Sequence, residues 1–323
     1  MAVKVSFAVA LLLVAALGGC SSGGRSQPLP AADRSSAAPV PVATKTGTVV
    51  VANEAVAMAY DGRFLWVGSA AGGAVTQVDP AISQVIRTIK LPGRPSGVAV
   101  TAEGVWVADN AGAAVYLLDP GSGRVNAKVR VGNNPLGFAQ VGRELWVFSQ
   151  SDQRASVLDP KTATVVRTVD LPGLGAGYPS VAAGAIWVPD VAGTTRSVWR
   201  VDPVAGQATR RLPTAAHPAE VVFGFGSGWA TDEDGVTRFD PATGKEQTRV
   251  IGVGRKLDGV AVTADAVWAV SIADNTLSRI DPATNRTVGS IDVCTGPRHL
   301  TVVGDDIWVA CYDSGILVRV HPS

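Results

Sequence analysis

One phrase recurs along this chain at a nearly fixed period, and it limits the possible folds more than any other feature. Tryptophans stand at Trp66, Trp106, Trp146, Trp187, Trp229, Trp268 and Trp308, with spacings between 39 and 42 residues. Asp-Pro follows each of the first six, beginning at Asp79, Asp119, Asp159, Asp202, Asp240 and Asp281, and the seventh copy carries His321-Pro322 instead. A period in this range marks a repeat architecture, in which one small unit is stacked on copies of itself.

Within one copy the pattern reads as four short strands. PSGVAV is an inner strand, Thr101 to Gly104 turn the chain, VWVAD and AVYLLDP follow, and GSGRVNAKVRVG closes the unit. Runs of β-formers separated by Gly, Pro and Asp clusters indicate all-β structure. Four strands per copy, seven times over, predict an all-β fold, a seven-bladed β-propeller. The last copy stops after its third strand at Pro322, while the folded part begins with a spare fourth strand, TKTGTVVVA. The N-terminal strand is therefore expected to complete the last blade and close the ring, which removes exposed sheet edges.

The copies resemble the YVTN-type and streptogramin-lyase-like propeller repeats over essentially all of residues 45–323. That resemblance implies the fold, whereas function on such a scaffold resides in the site. It also implies an alternative activity, a metal-dependent lyase whose loop-rich face carries a general-base His, a Glu-x-His pair and magnesium. None of the three histidines here has Glu two residues before it: Ala215 precedes His217, Pro297 precedes His299 and Arg319 precedes His321. His217 and Glu220 imitate part of such a site, with His299 two blades away.

The N-terminus poses a separate problem. Lys4 precedes an apolar run from Phe7 to Leu17, and Leu17-Gly18-Gly19-Cys20 closes it. The run is shorter than the ~20 residues that span a bilayer. An export signal over residues 1–19 fits it better. The ending resembles a bacterial lipobox, which implies lipidation of Cys20 with acyl chains such as palmitate. Two or three chains anchor stably, where one holds only marginally. Residues 20–44 are rich in Ser, Pro, Ala and Gly and lack aromatics, the composition of a disordered tether. The expected organisation is thus a signal at 1–19, a lipidated Cys20 with linker to 44, and a propeller at 45–323. The expected location is the extracytoplasmic face of the cell membrane.

Net charge is +1, and no basic run exceeds Arg210-Arg211, so no face suited to nucleic acid is present. Besides Cys20 there are two cysteines, Cys294 and Cys311. An exported chain folds where disulfides form, so this pair is expected to bond. An antiparallel hairpin turning at Gly304-Asp305 sets Cys311 opposite Arg298, and the preceding loop must then curl back for the bond.

A residue found in every copy is most simply a packing residue. The seven tryptophans are read as filling the space between blades. Asp-Pro-x-x-Gly, as in DPATG at 240–244, is turn chemistry. Arg200, Arg238, Arg279 and Arg319 recur two residues before the Asp position or its His321 equivalent, and are expected to brace neighbouring blades. Function should then sit on the loops where copies disagree. Three residues after each Trp stand Ser69, Asp109, Ser149, Asp190, Asp232, Ser271 and Cys311. These either coordinate a hard cation such as calcium or magnesium or cap strand ends. Asp232-Glu233-Asp234-Gly235 reads as a tight polar hairpin. The loops into the first strands add Arg94, Asn134, Tyr178, His217, Glu220, Lys256, Asp258, Arg298 and His299 to the same face.

The expected function is a membrane-anchored, monomeric binding or interaction module. No dedicated cofactor is implied. The polar face suits a glycan, a peptide or a partner envelope protein.

Overall fold

The computed structural model describes residues 41–323. The signal segment, Cys20 and most of the tether lie outside the described residues. Every regular element among those described is a strand. The strands form seven four-stranded antiparallel sheets, here called blades 1 to 7 in chain order. Their innermost strands are Ala55–Tyr60, Pro95–Thr101, Pro135–Val141, Ser180–Ala182, Val221–Gly224, Leu257–Val262 and Pro297–Val303. Each lies beside the next, and the seventh lies beside the first, so the ring closes around a central channel.

Closure uses the N-terminal strand. Ala43–Val50 pairs antiparallel with Ile316–Pro322 as the outermost strand of blade 7. The strand starts two residues before the expected boundary at 45, and Val42 packs on the core of that blade.

The tryptophans explain why the blades adhere. All seven are buried, and each reaches the apolar core of the following blade. Trp66 meets Val105 and Val107, Trp268 meets Ile307 and Val320, and Trp308 meets Leu65 and Val78, the last contact crossing the closure. The Asp-Pro turns behave as turn chemistry requires. Asp79 accepts from the Ala81 N–H at 2.9 Å and Asp240 from the Ala242 N–H at 2.7 Å.

The recurring arginines divide. Arg238 stacks on Trp229 and donates to the Pro282 carbonyl at 2.7 Å, and Arg319 reaches the Pro80 carbonyl at 3.5 Å, so both brace the next blade. Gln77 does the same toward the Pro120 carbonyl. Arg279 and Arg200 do not act as struts: Arg279 pairs with Asp265, and Arg200 bonds Thr209 and the Ala183 carbonyl, all within their own blades.

Cys294 and Cys311 form a disulfide with Cα atoms 6.0 Å apart. Cys311 lies opposite Pro297 rather than Arg298, because a β-bulge at Arg298 shifts the register by one residue.

Candidate functional site

The same bulge recurs and shapes the channel mouth. In blades 1, 2, 3, 6 and 7 the innermost strand carries one extra residue just after its start. A bulge sets two residues against one and re-aims a side chain. Val56, Ser96, Leu136, Asp258 and Arg298 are the residues so placed, ten before the Trp of each blade, and all five line a hollow of about 300 Å³ at the mouth.

The next position, nine before each Trp, lies where neighbouring inner strands come together. It holds Ala57, Gly97, Gly137, Tyr178, Glu220, Gly259 and His299. A Cβ on Gly97 would lie 1.9 Å from the Leu136 carbonyl oxygen, and one on Gly259 2.1 Å from that of Arg298. Neighbouring strands therefore approach too closely there for a side chain. The space left on the axis is filled by the three large residues from blades 4, 5 and 7.

Those three residues meet across the channel. The Tyr178 hydroxyl crosses to blade 2 and donates to the Ser96 carbonyl at 3.1 Å. The ring of His299 meets Tyr178 edge-on, with centroids 5.6 Å apart. Its Nε2 lies 3.4 Å from Glu220 Oε1, while Glu220 Oε2 accepts the Val260 N–H at 3.1 Å. Above them Arg298 donates to Asp258 at 3.2 Å and stacks on Tyr312. A hollow of about 30 Å³ between the two layers has room for roughly one water.

Burial sets the protonation states. It pushes the Glu220 carboxyl well above the usual range, against the Val260 hydrogen bond and aided by the Asp258 charge. It pushes Asp258 up to about 6 despite Arg298, pushes His299 down to about 4, and raises Tyr178. Burial thus favours the uncharged acid of Glu220 and the neutral imidazole of His299, beneath the hydrogen-bonded Asp258–Arg298 pair. Removing charge from water favours the neutral forms.

The remaining predicted residues are distributed as follows. Arg94 lines the mouth hollow and pairs with Glu54 at 2.7 Å. Asn134 joins a chain of amides, accepting from Asn110 and donating to Gln150 at 2.9 Å. His217 and Lys256 line a neighbouring hollow of about 440 Å³, and His217 Nδ1 lies 3.0 Å from the Asp190 carbonyl. His217 does not meet Glu220; His299 does.

Asp109, Asp190 and Asp232 are buried caps. Asp109 accepts the Arg94 and Gly112 N–H groups, each at 3.0 Å. Asp190 takes the Gly175 and Thr195 N–H groups at 2.7 and 2.8 Å. Asp232 holds the Gly235 N–H and Arg249, within the tight hairpin expected at 232–235. Each carboxylate is engaged inside its own blade, so the ring does not fit a shared cation. Among the described residues no group of three or more His, Cys, Asp or Glu side chains gathers as a metal site would.

The residues that do face the mouth stand one position further along. Four after each Trp come Ala70, Asn110, Gln150, Val191, Glu233, Ile272 and Tyr312, and all seven line one or other hollow. Their signal was variation between copies at a loop position.

No protein-family model matches the sequence, and no curated protein sequence matches it significantly. Solved structures do. Hydrazine synthase from Kuenenia stuttgartiensis superposes with a TM-score of 0.75 at 17% identity, over 87% of this chain and 97% of that one. Virginiamycin B lyase from Staphylococcus aureus gives 0.74 at 13% identity, over 86% and 99%. A streptogramin B lyase gives 0.71 at 15% identity, over 88% and 95%. Identities this low establish the fold alone, and that fold is a streptogramin-lyase-like seven-bladed propeller.

Proposed function

We propose that this protein is an exported binding module, tethered to the membrane through Cys20, that takes a small polar molecule at the channel mouth. One observation supports the reading: Tyr178, His299 and Glu220 meet across the channel beneath the hollow at its mouth, as the floor of a pocket would. Its walls come from positions that differ between blades, as a site grafted on a repetitive scaffold requires. The Cys294–Cys311 disulfide accords with folding in an oxidising, extracytoplasmic compartment. A ligand at a hundred times its dissociation constant stabilises by about 2.7 kcal/mol. Melting curves of the purified protein with pools of wall glycans and short peptides should therefore shift upward with at least one pool. A flat response to every pool overturns small-molecule binding and leaves a protein partner. For the tether, incorporation of a palmitate analogue should be lost in Cys20→Ala.

A second reading, a lyase of the kind named for two of the structural neighbours, is favoured by the Glu220–His299 pair beneath the pocket. Incubation with virginiamycin B tests it directly. Loss of intact compound that disappears in His299→Gln supports a lyase, and undiminished compound removes that reading.

A further inference from the structure

The side-chain amides on one side of the mouth all point the same way, and a backbone carbonyl sets the direction. Ala176 is buried in the segment that leads into blade 4. Its carbonyl can only accept, and Gln150 Nε2 donates to it at 3.4 Å. That contact decides which end of the Gln150 amide is nitrogen. Its Oε1 therefore faces Asn134 and accepts from Asn134 Nδ2 at 2.9 Å. Asn134 is fixed in turn, and its Oδ1 accepts from Asn110 Nδ2. Each amide carries donors at one end and an acceptor at the other, so one anchored end orients the whole row. Bonds in such a row also polarise one another.

The backbone holds the row in place. Asn134 sits at φ 57°, in the left-handed region that Asn enters more readily than most residues. Its carbonyl accepts the Gln150 N–H at 2.9 Å, and the Asn110 N–H donates to the Arg94 carbonyl at 3.0 Å. The head of the row is Asn110 Oδ1, which accepts from no protein donor among the described residues and is not one of the buried polar atoms. Asn110 lines the mouth hollow. Turning its amide over would set its oxygen against Asn134 Oδ1, acceptor against acceptor. The end it presents is thus an oxygen, and a group seated there must donate. The position is particular to this side of the mouth, since blades 1, 4 and 6 carry Ala70, Val191 and Ile272 at the equivalent place.

We infer that Asn110 is a specificity-determining acceptor of the mouth, selecting ligands that place an uncharged N–H or O–H donor on its Oδ1. An amide N–H of a peptide or a sugar hydroxyl supplies that donor. Gln150 and Asn134 act as positioning residues. This rests on the binding reading above and narrows the ligand class.

Matched probes separate this inference from that reading. N-acetylalanine methyl ester and its N-methyl derivative differ by one N–H, and methyl glucoside and its fully O-methylated ether differ by their hydroxyls. Each is titrated into the full-length protein in detergent, following the Asn110 side-chain NH2 resonances by NMR, assigned by their absence in Asn110→Leu. The donor-bearing member of at least one pair should bind about fivefold or more tightly than its methylated partner, the value of one hydrogen bond. It should also move the Asn110 resonances. The pair that shows the preference tells an amide donor from a hydroxyl. Asn110→Leu keeps the bulk but loses the oxygen, so it should erase the preference. A preference that survives in Asn110→Leu reflects the size of the added methyl and overturns the inference. Gln150→Leu unties the row from Ala176 and frees Asn110 to turn over, so it should weaken the preference, and an undiminished preference there removes the row as its cause. Equal binding within both pairs, or no movement with any probe, overturns the inference. The glycan and peptide melting curves then decide the broader reading independently.

Discussion

Nε2 of His299 lies 3.4 Å from Oε1 of Glu220 on the axis of the propeller, although the two residues come from blades 7 and 5. The Glu220 carboxyl has no side chain as hydrogen-bond partner, only the Val260 N–H, and His299 Nδ1 has no partner at all. The pair exists because five blades place bulges at the mouth and three place glycine on the axis, which leaves a shaft that only a few large residues fill. A buried ionisable pair at the floor of a pocket is a functional candidate, and its titration is measurable.

The first prediction concerns acid. His299 is held neutral, with its pKa pushed from 6.5 down to about 4. Between those values the unfolded chain takes up a proton that the folded chain refuses, so His299 withdraws stability as pH falls. Asp258 acts oppositely, because its pKa is pushed from 3.8 up to about 6. There the folded chain keeps a proton that the unfolded chain releases, so stability is lost as pH rises. The two effects oppose each other between pH 4 and 6. His299→Gln removes one side. Relative to the parent, its stability should improve by up to about 3 kcal/mol as pH is lowered from 7 to 4. Urea unfolding at stepped pH reads this, and parallel curves for the two proteins would show an imidazole that titrates as if solvated.

Glu220 gives a second test. If burial keeps its carboxyl protonated at neutral pH, an amide reproduces it. The Gln oxygen accepts from the Val260 N–H as the acid does, and its amide nitrogen takes the place of Oε1 beside His299. Glu220→Gln should therefore change stability by less than about 1 kcal/mol at pH 7. Glu220→Ala leaves a void and an unpaired Val260 N–H, and should cost about 3 kcal/mol. A Gln variant as unstable as the Ala variant would show that the native group is an ionised carboxylate.

The disulfide joins the loop before blade 7 to the end of that blade's second strand, Asp306–Cys311, with 17 residues of separation. Closing a loop of this size restricts the unfolded chain by about 3 kcal/mol. The double variant Cys294→Ala, Cys311→Ala should unfold at correspondingly lower denaturant, with its mouth binding kept. Loss of binding without loss of stability would mean that the bridge instead orients Arg298, three residues before Thr301 on the same inner strand.

The repeat made the fold legible from residues alone, because blade count, strand order and closure all follow from a Trp period and a missing fourth strand. The site was legible only to within one residue. The rule that function sits where copies disagree is sound, but Ser69, Asp109, Ser149, Asp190, Asp232 and Ser271 agree in type: each is a small oxygen-bearing residue. By that rule they belong to the scaffold, and the hydrogen bonds of all but Ser149, whose buried hydroxyl has no partner, place them there. The disagreement begins at Ala70, Asn110 and Tyr312. The pairing of Glu220 with His299 was not legible, because it depends on bulges that shift side chains by one position. Nothing in local composition marks a bulge whose extra residue is Val56 in one blade and Arg298 in another.

Asp109 and Asn110 put that one-residue distinction to the test. Asp109 is buried and holds the Arg94 and Gly112 N–H groups, while Asn110 lines the mouth and reaches Asn134. Asp109→Ala strands the Arg94 N–H, while Gly112 keeps the Asp109 carbonyl, and should lower stability by about 2 kcal/mol, with neither calcium nor magnesium restoring it. Asn110→Ala should leave stability within about 1 kcal/mol of the parent, since its contacts are partly solvated. It should nevertheless change affinity for whichever ligand pool shifts the melting curve. Calcium rescue of the Asp109 variant's parent, seen as a chelator-sensitive melt, would return the carboxylate ring to the role of a cation site. Equal stability loss in both variants would place Asn110 in the scaffold as well.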